Sequence, residues 1–134
     1  MPSDTSMKFF FEIYESLPRQ GPGDRASTER ALAMLPPLKP EQRLLDIGCG
    51  SGTQTLDLAR VTGAQIVAVD SHAPFIARLA ARIDELGLGD RVRAQVGDMG
   101  DLRFPDGAFD VIWSEGAIFI LGFARGLAEW RDLL

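Results

Sequence analysis

Three aspartates, Asp46, Asp70 and Asp98, stand at or just past the end of short apolar runs of the sequence. The first is followed by a loop with glycine at alternate positions, Gly48-Cys49-Gly50-Ser51-Gly52. Glycine has no Cβ atom, so a ligand can lie against the backbone of such a loop near the N-terminus of the next helix. A carboxylate beside the loop suits an ammonium group better than a phosphate. These residues therefore predict a site for a ligand that carries an amino group.

The second and third aspartates have the spacing of a nucleoside site. Asp70 follows Gly50 by 20 residues, where a carboxylate accepts the hydroxyl protons of a ribose in nucleotide-binding α/β folds. Asp98 stands just past the third apolar run, where its carboxylate is able to bind an adenine amino group while Met99 packs on the ring. Simpler interpretations exist for each feature: a tight turn at the glycines, a helix cap at Asp70 and a turn aspartate at Asp98.

The glycine spacing separates two classes of nucleotide ligand. The dinucleotide fingerprint G-x-G-x-x-G has its third glycine at the sixth position, and counted from Gly48 that position is Thr53. The spacing therefore argues against a pyrophosphate ligand. A nucleotide-binding module of the NAD type stays the alternative interpretation.

The glycine loop, the ribose acid and the adenine acid, in this order and spacing, resemble the class I S-adenosylmethionine-dependent methyltransferases over residues 43–134. The segment Phe109–Gly116 looks like that family's fourth strand and the loop after it, beside the departing methyl group. The stretches Arg19–Gly23 and Ile112–Trp130 are similar to a bacterial small-molecule subgroup related to the enzymes of ubiquinone and menaquinone biosynthesis. The resemblance implies S-adenosyl-L-methionine as cofactor and a small molecule as methyl acceptor, whose identity it leaves open.

The resemblance also assigns roles to individual residues. It implies that Asp46 and the backbone of Gly48 and Gly50 hold the amino acid end of the cofactor, and that Asp70 binds the ribose with Ser71 and His72 beside it. The adenine is expected at Asp98 and Met99. The methyl-transfer position is expected to be bordered by Ser114, Glu115 and Gly116. By the same resemblance the N-terminal helix and Arg19-Gln20 form a lid over the cofactor. Arg19 is expected to pair with the cofactor carboxylate.

The expected reaction asks little of the protein, because the sulfonium of the cofactor is already an activated electrophile. The protein aligns the acceptor with the methyl group and excludes water. An oxygen or nitrogen acceptor needs a base, for which Glu115 is the candidate and His72 the weaker alternative. Cys49 is interpreted as a small side chain that fits the loop. The acidic pairs lack the histidine or cysteine partners of a transition-metal site, so no metal is expected.

Alternating short apolar runs and helical patterns position these residues. Strands are predicted at Arg43–Ile47, Gln65–Asp70, Val92–Val96 and Phe109–Ser114, each as a central strand buried on both faces. Helices are predicted at Thr53–Val61, at Ala73–Leu86 and from Phe123 to the chain end, with two more at Ser6–Leu17 and from Ser27 to Leu35. The pattern predicts an α/β fold with a Rossmann-like parallel sheet. The resemblance implies strand order 3-2-1-4, as in the first four strands of a seven-stranded fold.

Length and charge restrict the class of protein. The chain has 134 residues, a formal net charge of -5 and one cysteine. This acidic balance argues against nucleic acid and anionic membrane as partners. A single cysteine forms no internal disulfide, which fits the cytoplasm. Residues 1–40 are interpreted as an N-terminal helical lid segment and residues 41–134 as a cofactor-binding domain.

Family members of this type continue with a fifth strand and a hairpin of two more, whereas this sequence stops after the fourth strand and a helix. We therefore expect a truncated chain or a fragment whose fourth strand forms an open sheet edge and self-associates. A fragment that binds cofactor without catalysis is a further alternative.

Overall fold

The computed structural model describes residues 4–134. Two helices come first, α1 (Asp4–Tyr14) and α2 (Arg25–Leu32). The remaining elements are β1 (Arg43–Ile47), α3 (Thr53–Val61), β2 (Gln65–Asp70), α4 (Ala73–Glu85), β3 (Val92–Val96), β4 (Val111–Trp113) and α5 (Phe123–Trp130), with short 3-10 helices at Ile118–Ile120 and Arg131–Leu133. Within the described residues no helix is both long enough and apolar enough to cross a membrane.

The four strands form one parallel sheet in the order β3-β2-β1-β4. Leu44 in β1 pairs with Ile66 of β2 on one side and with Val111 of β4 on the other. The observed order confirms the predicted Rossmann-like sheet. In such a sheet the strand order reverses at β1, and ligands bind outside the carboxyl ends of the strands at that point.

β1 is the best buried strand, and its side chains alternate between two cores. Leu44 belongs to the cluster that α3 and α4 cover, whereas Leu45 and Ile47 pack with Phe109 and Trp130 on the other face. The same alternation places Asp46 on the α3 side of the sheet, at the end of the strand where the glycine loop begins.

The two outer strands are less buried than the sequence suggests. The expectation that all four strands are buried on both faces is wrong for β3, where Val96 is 55% exposed, and for β4, where Val111 and Ile112 are half-buried. Among residues 4–134, each of these two strands pairs with one neighbouring strand. β4 is also shorter than the predicted Phe109–Ser114, because the Phe109 N–H donates to the Leu133 carbonyl near the C-terminus rather than to β1.

Two helix boundaries near the N-terminus follow from local hydrogen bonds. α2 begins at Arg25 rather than Ser27, because the Asp24 carboxylate caps the helix by accepting the Ser27 N–H at 2.8 Å. α1 ends at Tyr14 rather than Leu17, since a turn follows in which the Leu17 N–H donates to the Tyr14 carbonyl. Neither difference changes which elements are present.

Gly52 lies at a close approach between the glycine loop and α4. Its φ of +80° lies in the left-handed region, and a Cβ atom there would come within 2.3 Å of Leu79 Cδ1. Leu79 has no exposed surface, so its side chain cannot move aside without disturbing a close-packed core. Gly52 therefore sets the distance between the start of α3 and the body of α4.

We predict that Gly52→Ala lowers the free energy of unfolding by about 1 to 3 kcal/mol, because the added methyl overpacks the contact with Leu79. Urea denaturation followed by circular dichroism measures the change. Gly89→Ala is the control, since a Cβ atom at Gly89 meets nothing within 4 Å. Its effect should stay within about 0.5 kcal/mol, and equal losses in the two variants would contradict the argument.

Candidate functional site

The carboxyl ends of β1 and β2 bring the glycine loop and Asp70 together. The Gly50 N–H donates to Asp70 Oδ2 at 2.9 Å, and the His72 N–H donates to Asp70 Oδ1 at 2.9 Å. Each carboxylate oxygen thus accepts one backbone donor and retains a lone pair for another. Asp70 is therefore held in a fixed orientation while it can still accept two hydroxyl protons from a ligand.

The start of the glycine loop is tied to β2 through one carbonyl group. The Val69 carbonyl accepts the Gly48 N–H at 2.8 Å and the Cys49 N–H at 3.0 Å. The Cys49 side chain is 1% exposed, and burial raises the pKa of its thiol. A buried thiol with a raised pKa is a poor nucleophile, so Cys49 has the surroundings of a packing residue.

Asp46 is a fully buried carboxylate at the end of β1. Its Oδ2 atom accepts the Thr55 hydroxyl at 2.6 Å and lies 3.5 Å from Gln54 Nε2, whereas its Oδ1 atom has no partner. Burial raises the pKa of Asp46 to about 7; the Thr55 hydrogen bond opposes this shift, and the charges of Glu115 and Asp70 add to it. A cationic group that donates a hydrogen bond to Oδ1 would give this oxygen a partner and would compensate the negative charge of the ionised Asp46.

The N-terminal segment reaches the glycine loop through Gln20. Gln20 Oε1 accepts both the Ser51 N–H and the Ser51 hydroxyl, each at 2.9 Å. The sequence prediction places Gln20 in the lid but does not indicate which atoms of the loop it contacts.

Arg19 lies among side chains of the protein itself. Its guanidinium donates to Asp57 at 3.2 Å, to Glu115 at 3.2 Å and to the Thr28 hydroxyl at 2.9 Å. The sequence prediction pairs Arg19 with a cofactor carboxylate, whereas here the cation bridges a residue of α3 and the residue two positions after β4. Arg19 thus joins three elements of the fold.

Glu115, the predicted base, takes part in the same network. Its Oε1 atom accepts the Thr28 hydroxyl at 2.8 Å and the Trp113 indole N–H at 3.2 Å, and its Oε2 atom pairs with Arg19. Thr28 has no exposed surface, so this part of the network is shielded from water. The carboxylate is fully hydrogen-bonded as it stands, which makes it a good anchor for the N-terminal segment.

His72 is covered by the end of α1. Its ring stacks on Phe11 with centroids 3.8 Å apart, and its Nε2 atom lies 2.5 Å from Glu15 Oε1. Ser71, the other residue predicted beside the ribose, is exposed. The N-terminal segment and the end of β2 therefore meet at His72, next to Asp70.

The predicted adenine residues follow β3 in a turn. Asp98 is exposed, and its Oδ1 atom accepts the Gly100 N–H at 2.8 Å. The Met99 carbonyl accepts the Trp130 indole N–H at 2.9 Å, which ties this turn to α5. The Met99 side chain packs at the edge of the core cluster that contains Trp130.

Ser114 and Gly116 lie in the loop after β4. The Ser114 hydroxyl is buried and has no hydrogen-bond partner. A cavity of about 340 Å³ lies beside it, lined by Gly23, Ser27, Ala31 and residues 112–115. A larger cavity of about 470 Å³ lies beside Pro36, Pro37 and the C-terminal end of α3, at the other end of the sheet, and contacts no residue of the glycine loop.

The domain family described as "Methyltransferase domain" matches residues 44–134, from β1 to the last residue. The chain belongs to this methyltransferase family. The glycine loop and all four strands except Arg43, the first residue of β1, fall inside the match, so the predicted resemblance to class I methyltransferases is confirmed.

Curated relatives and solved structures match large parts of this chain. A sterol 24-C-methyltransferase of Yarrowia lipolytica is 34% identical over 89 residues, which are 66% of this chain and 23% of that protein. YjhP from E. coli has a TM-score of 0.80 and 27% identity over 95% of this chain and 51% of its own. A geranyl diphosphate methyltransferase in complex with SAM has a TM-score of 0.77 and 25% identity over 92% of this chain and 54% of its own. The chain spans between 21% and 32% of the first three curated relatives.

Several residues of the site could not be selected from the sequence. Thr28 and Asp57 bind Arg19, and Gln54 and Thr55 surround Asp46. The sequence places Gln54 and Thr55 in the first turn of the predicted helix Thr53–Val61, but it carries no signal for their contact with Asp46. Within the described residues no group of three or more metal-binding side chains comes together.

We predict that the contribution of Asp46 to the free energy of unfolding falls as the pH rises from about 4 to about 7. Its pKa of about 7 in the folded chain lies above the usual value of about 3.9 for the unfolded chain. The contribution of the protonated Asp46 to the stability of the folded chain is therefore fully present below about pH 4 and is lost as the pH rises through about 7.

Asp46→Asn should remove this loss, so its stability relative to the wild type should rise over the same interval by a few kcal/mol in order of magnitude. Urea unfolding at several pH values measures the difference. Asp106→Asn, at an exposed position, is the control, and a constant difference between Asp46→Asn and the wild type would be evidence against the assignment.

Proposed function

We propose that this chain is the cofactor-binding part of an S-adenosylmethionine-dependent methyltransferase that transfers the methyl group to a small molecule. Membership of the methyltransferase family supports the reaction class. The observation that carries the proposal is the buried Asp46, which keeps one carboxylate oxygen without a partner directly before the glycine loop. A buried oxygen of this kind calls for a cationic ligand.

The residues at the strand ends fit the parts of this cofactor. Asp46 Oδ1 suits the ammonium group of the amino acid end, with the backbone of Gly48 and Gly50 beside it. The free lone pairs of Asp70 suit the two ribose hydroxyls. Asp98 and Met99 follow β3, where an adenine would lie next to the ribose. Each assignment matches a polar group of the ligand with a group of opposite hydrogen-bonding character.

The raised pKa of Asp46 gives this fit a pH-dependent component. Without a ligand the carboxyl group is half protonated near pH 7. An ammonium group at hydrogen-bond distance favours the ionised form. Cofactor binding near neutral pH should therefore release a fraction of a proton from Asp46 for each molecule bound.

When bound, S-adenosylmethionine supplies an activated methyl group. The chain orients the cofactor, excludes water and borders the transfer position with Ser114, Glu115 and Gly116. Glu115 is paired with Arg19 and Thr28, so its first role in this proposal is to anchor the N-terminal segment.

Residues 1–40 act in this proposal as a lid on the cofactor domain, residues 41–134. Polar contacts from Glu15, Arg19 and Gln20 support this role, because they reach His72, Glu115 and Ser51, which follow the carboxyl ends of three strands. Arg78 of α4 adds a hydrogen bond of 2.8 Å to the Glu15 carbonyl.

The acceptor is assigned to the class of small molecules. The cavity beside Ser114 has room for one, and two of the relatives are named for sterol and geranyl diphosphate substrates. The net charge of -5 supports neither nucleic acid nor anionic membrane as a partner. A location in the cytoplasm and membership of the bacterial subgroup stay predictions.

A cofactor-binding piece without activity of its own is the second candidate, favoured by the small share of its relatives that the chain spans. A module that binds NAD is less well supported, because Thr53 stands in place of the third fingerprint glycine.

Asp70→Ala should weaken the binding of S-adenosylhomocysteine by about 1 to 3 kcal/mol, since hydrogen bonds to the ribose are lost. Isothermal titration calorimetry measures this change, with Asp106→Ala as the control at an exposed aspartate. NAD is titrated in parallel. Binding of NAD but not of S-adenosylhomocysteine by the wild type would overturn the proposed function, and unchanged affinity in Asp70→Ala would overturn the ribose assignment.

Self-association is also proposed, through the outer edge of β4. β4 is an end strand of the sheet within the described residues, and its outward backbone groups are free to pair with a second copy. We expect light scattering to detect dimers that increase with concentration. A monomer of constant mass up to tens of micromolar would speak against this pairing.

A further inference from the structure

The side chain of Gln20 lies directly on the glycine loop. Its Oε1 atom accepts two hydrogen bonds from Ser51, one from the backbone N–H and one from the hydroxyl. Ser51 has no exposed surface. The approach depends on the neighbouring glycine, since a Cβ atom on Gly50 would lie 2.6 Å from Gln20 Oε1. The contact is therefore close and specific for an acceptor atom.

The orientation of the Gln20 amide is fixed from the other side. Its Nε2 atom donates to the Tyr14 carbonyl at 3.2 Å and to the Leu17 carbonyl at 3.0 Å. A flipped amide would place its oxygen against these two carbonyls and its NH₂ group against the Ser51 N–H. The hydrogen bonds on both sides thus require the oxygen to face the loop.

Two groups at the loop need hydrogen-bond partners of opposite charge. The Ser51 donors lie at the N-terminal end of α3, where the partial positive charge of the helix favours an anion such as a carboxylate. The buried Oδ1 atom of Asp46, which precedes the loop, has no donor. An amino acid zwitterion offers a carboxylate for the first group and an ammonium for the second. In this structure the neutral amide oxygen of Gln20 accepts the hydrogen bonds of the Ser51 donors in place of a carboxylate.

We propose that Gln20 occupies the subsite for the carboxylate of the cofactor's amino acid end and withdraws when the cofactor binds. The inference rests on the proposed function and goes beyond it, because it makes the lid an internal competitor of the ligand that it covers. Binding of the cofactor must then break the two hydrogen bonds to Ser51. Removing the competing oxygen should strengthen binding, whereas removing a residue that holds the cofactor would weaken it.

The test measures two ligands with Gln20→Ala. S-adenosylhomocysteine carries the amino acid end, and 5'-methylthioadenosine has the same adenosine without it. We expect Gln20→Ala to bind S-adenosylhomocysteine about three- to tenfold more tightly than the wild type, the effect of one or two neutral hydrogen bonds. The affinity for 5'-methylthioadenosine should not change. Isothermal titration calorimetry gives both constants.

Gln65→Ala is the matched control. Its side-chain amide donates to the Pro40 carbonyl at the opposite end of the sheet, so both affinities should equal those of the wild type. Weaker or unchanged binding of S-adenosylhomocysteine by Gln20→Ala would overturn the inference, as would an equal gain for both ligands. If the wild type and Gln20→Ala both fail to bind S-adenosylhomocysteine, the proposed function fails, and this inference with it.

Discussion

The attachment of the glycine loop to the end of β2 is the constraint on which the site depends. The first two N–H groups of the loop donate to the Val69 carbonyl, and the third, that of Gly50, donates to Asp70. These bonds hold the loop against β2 and so fix where α3 begins. They also consume three successive donors, so that Ser51 carries the first N–H available to a group from outside the loop. The bonds that fold the loop thereby decide which donors a ligand meets.

The N-terminal segment is held in a different way from the rest of the chain. No residue of α1 is buried, and its attachment rests on polar and aromatic contacts near its end, such as the Phe11 stack on His72 and the ion pairs of Arg19. An element with few buried apolar contacts opens at a lower free energy than the core does. The sheet and α3 can therefore keep their structure while the segment moves, which is what a cover over a binding site requires.

The sequence was sufficient for the elements whose signals are local. Glycine spacing and apolar runs predicted β1, β2, β3 and α3 at their observed boundaries. The Arg19 network was beyond such reasoning, because its members lie 38 and 96 residues apart along the chain and only the folded sheet brings them together. The limits of β4 were also missed, since the Phe109 backbone pairs with the C-terminal turn. Pairings over long distances in the sequence leave no periodic pattern to read.

Carboxylates outnumber cations where the strands end. Arg19 is shared between Asp57 and Glu115. Burial raises the pKa of Asp46, and the charges of Glu115 and Asp70 add to that shift. Under the proposed function the ligand arrives with a positively charged sulfur and leaves as a neutral thioether. The surplus of negative charge attracts the cationic sulfonium form and does not attract the neutral thioether form. The electrostatics of the site therefore favour exchange of spent for fresh cofactor after each turnover.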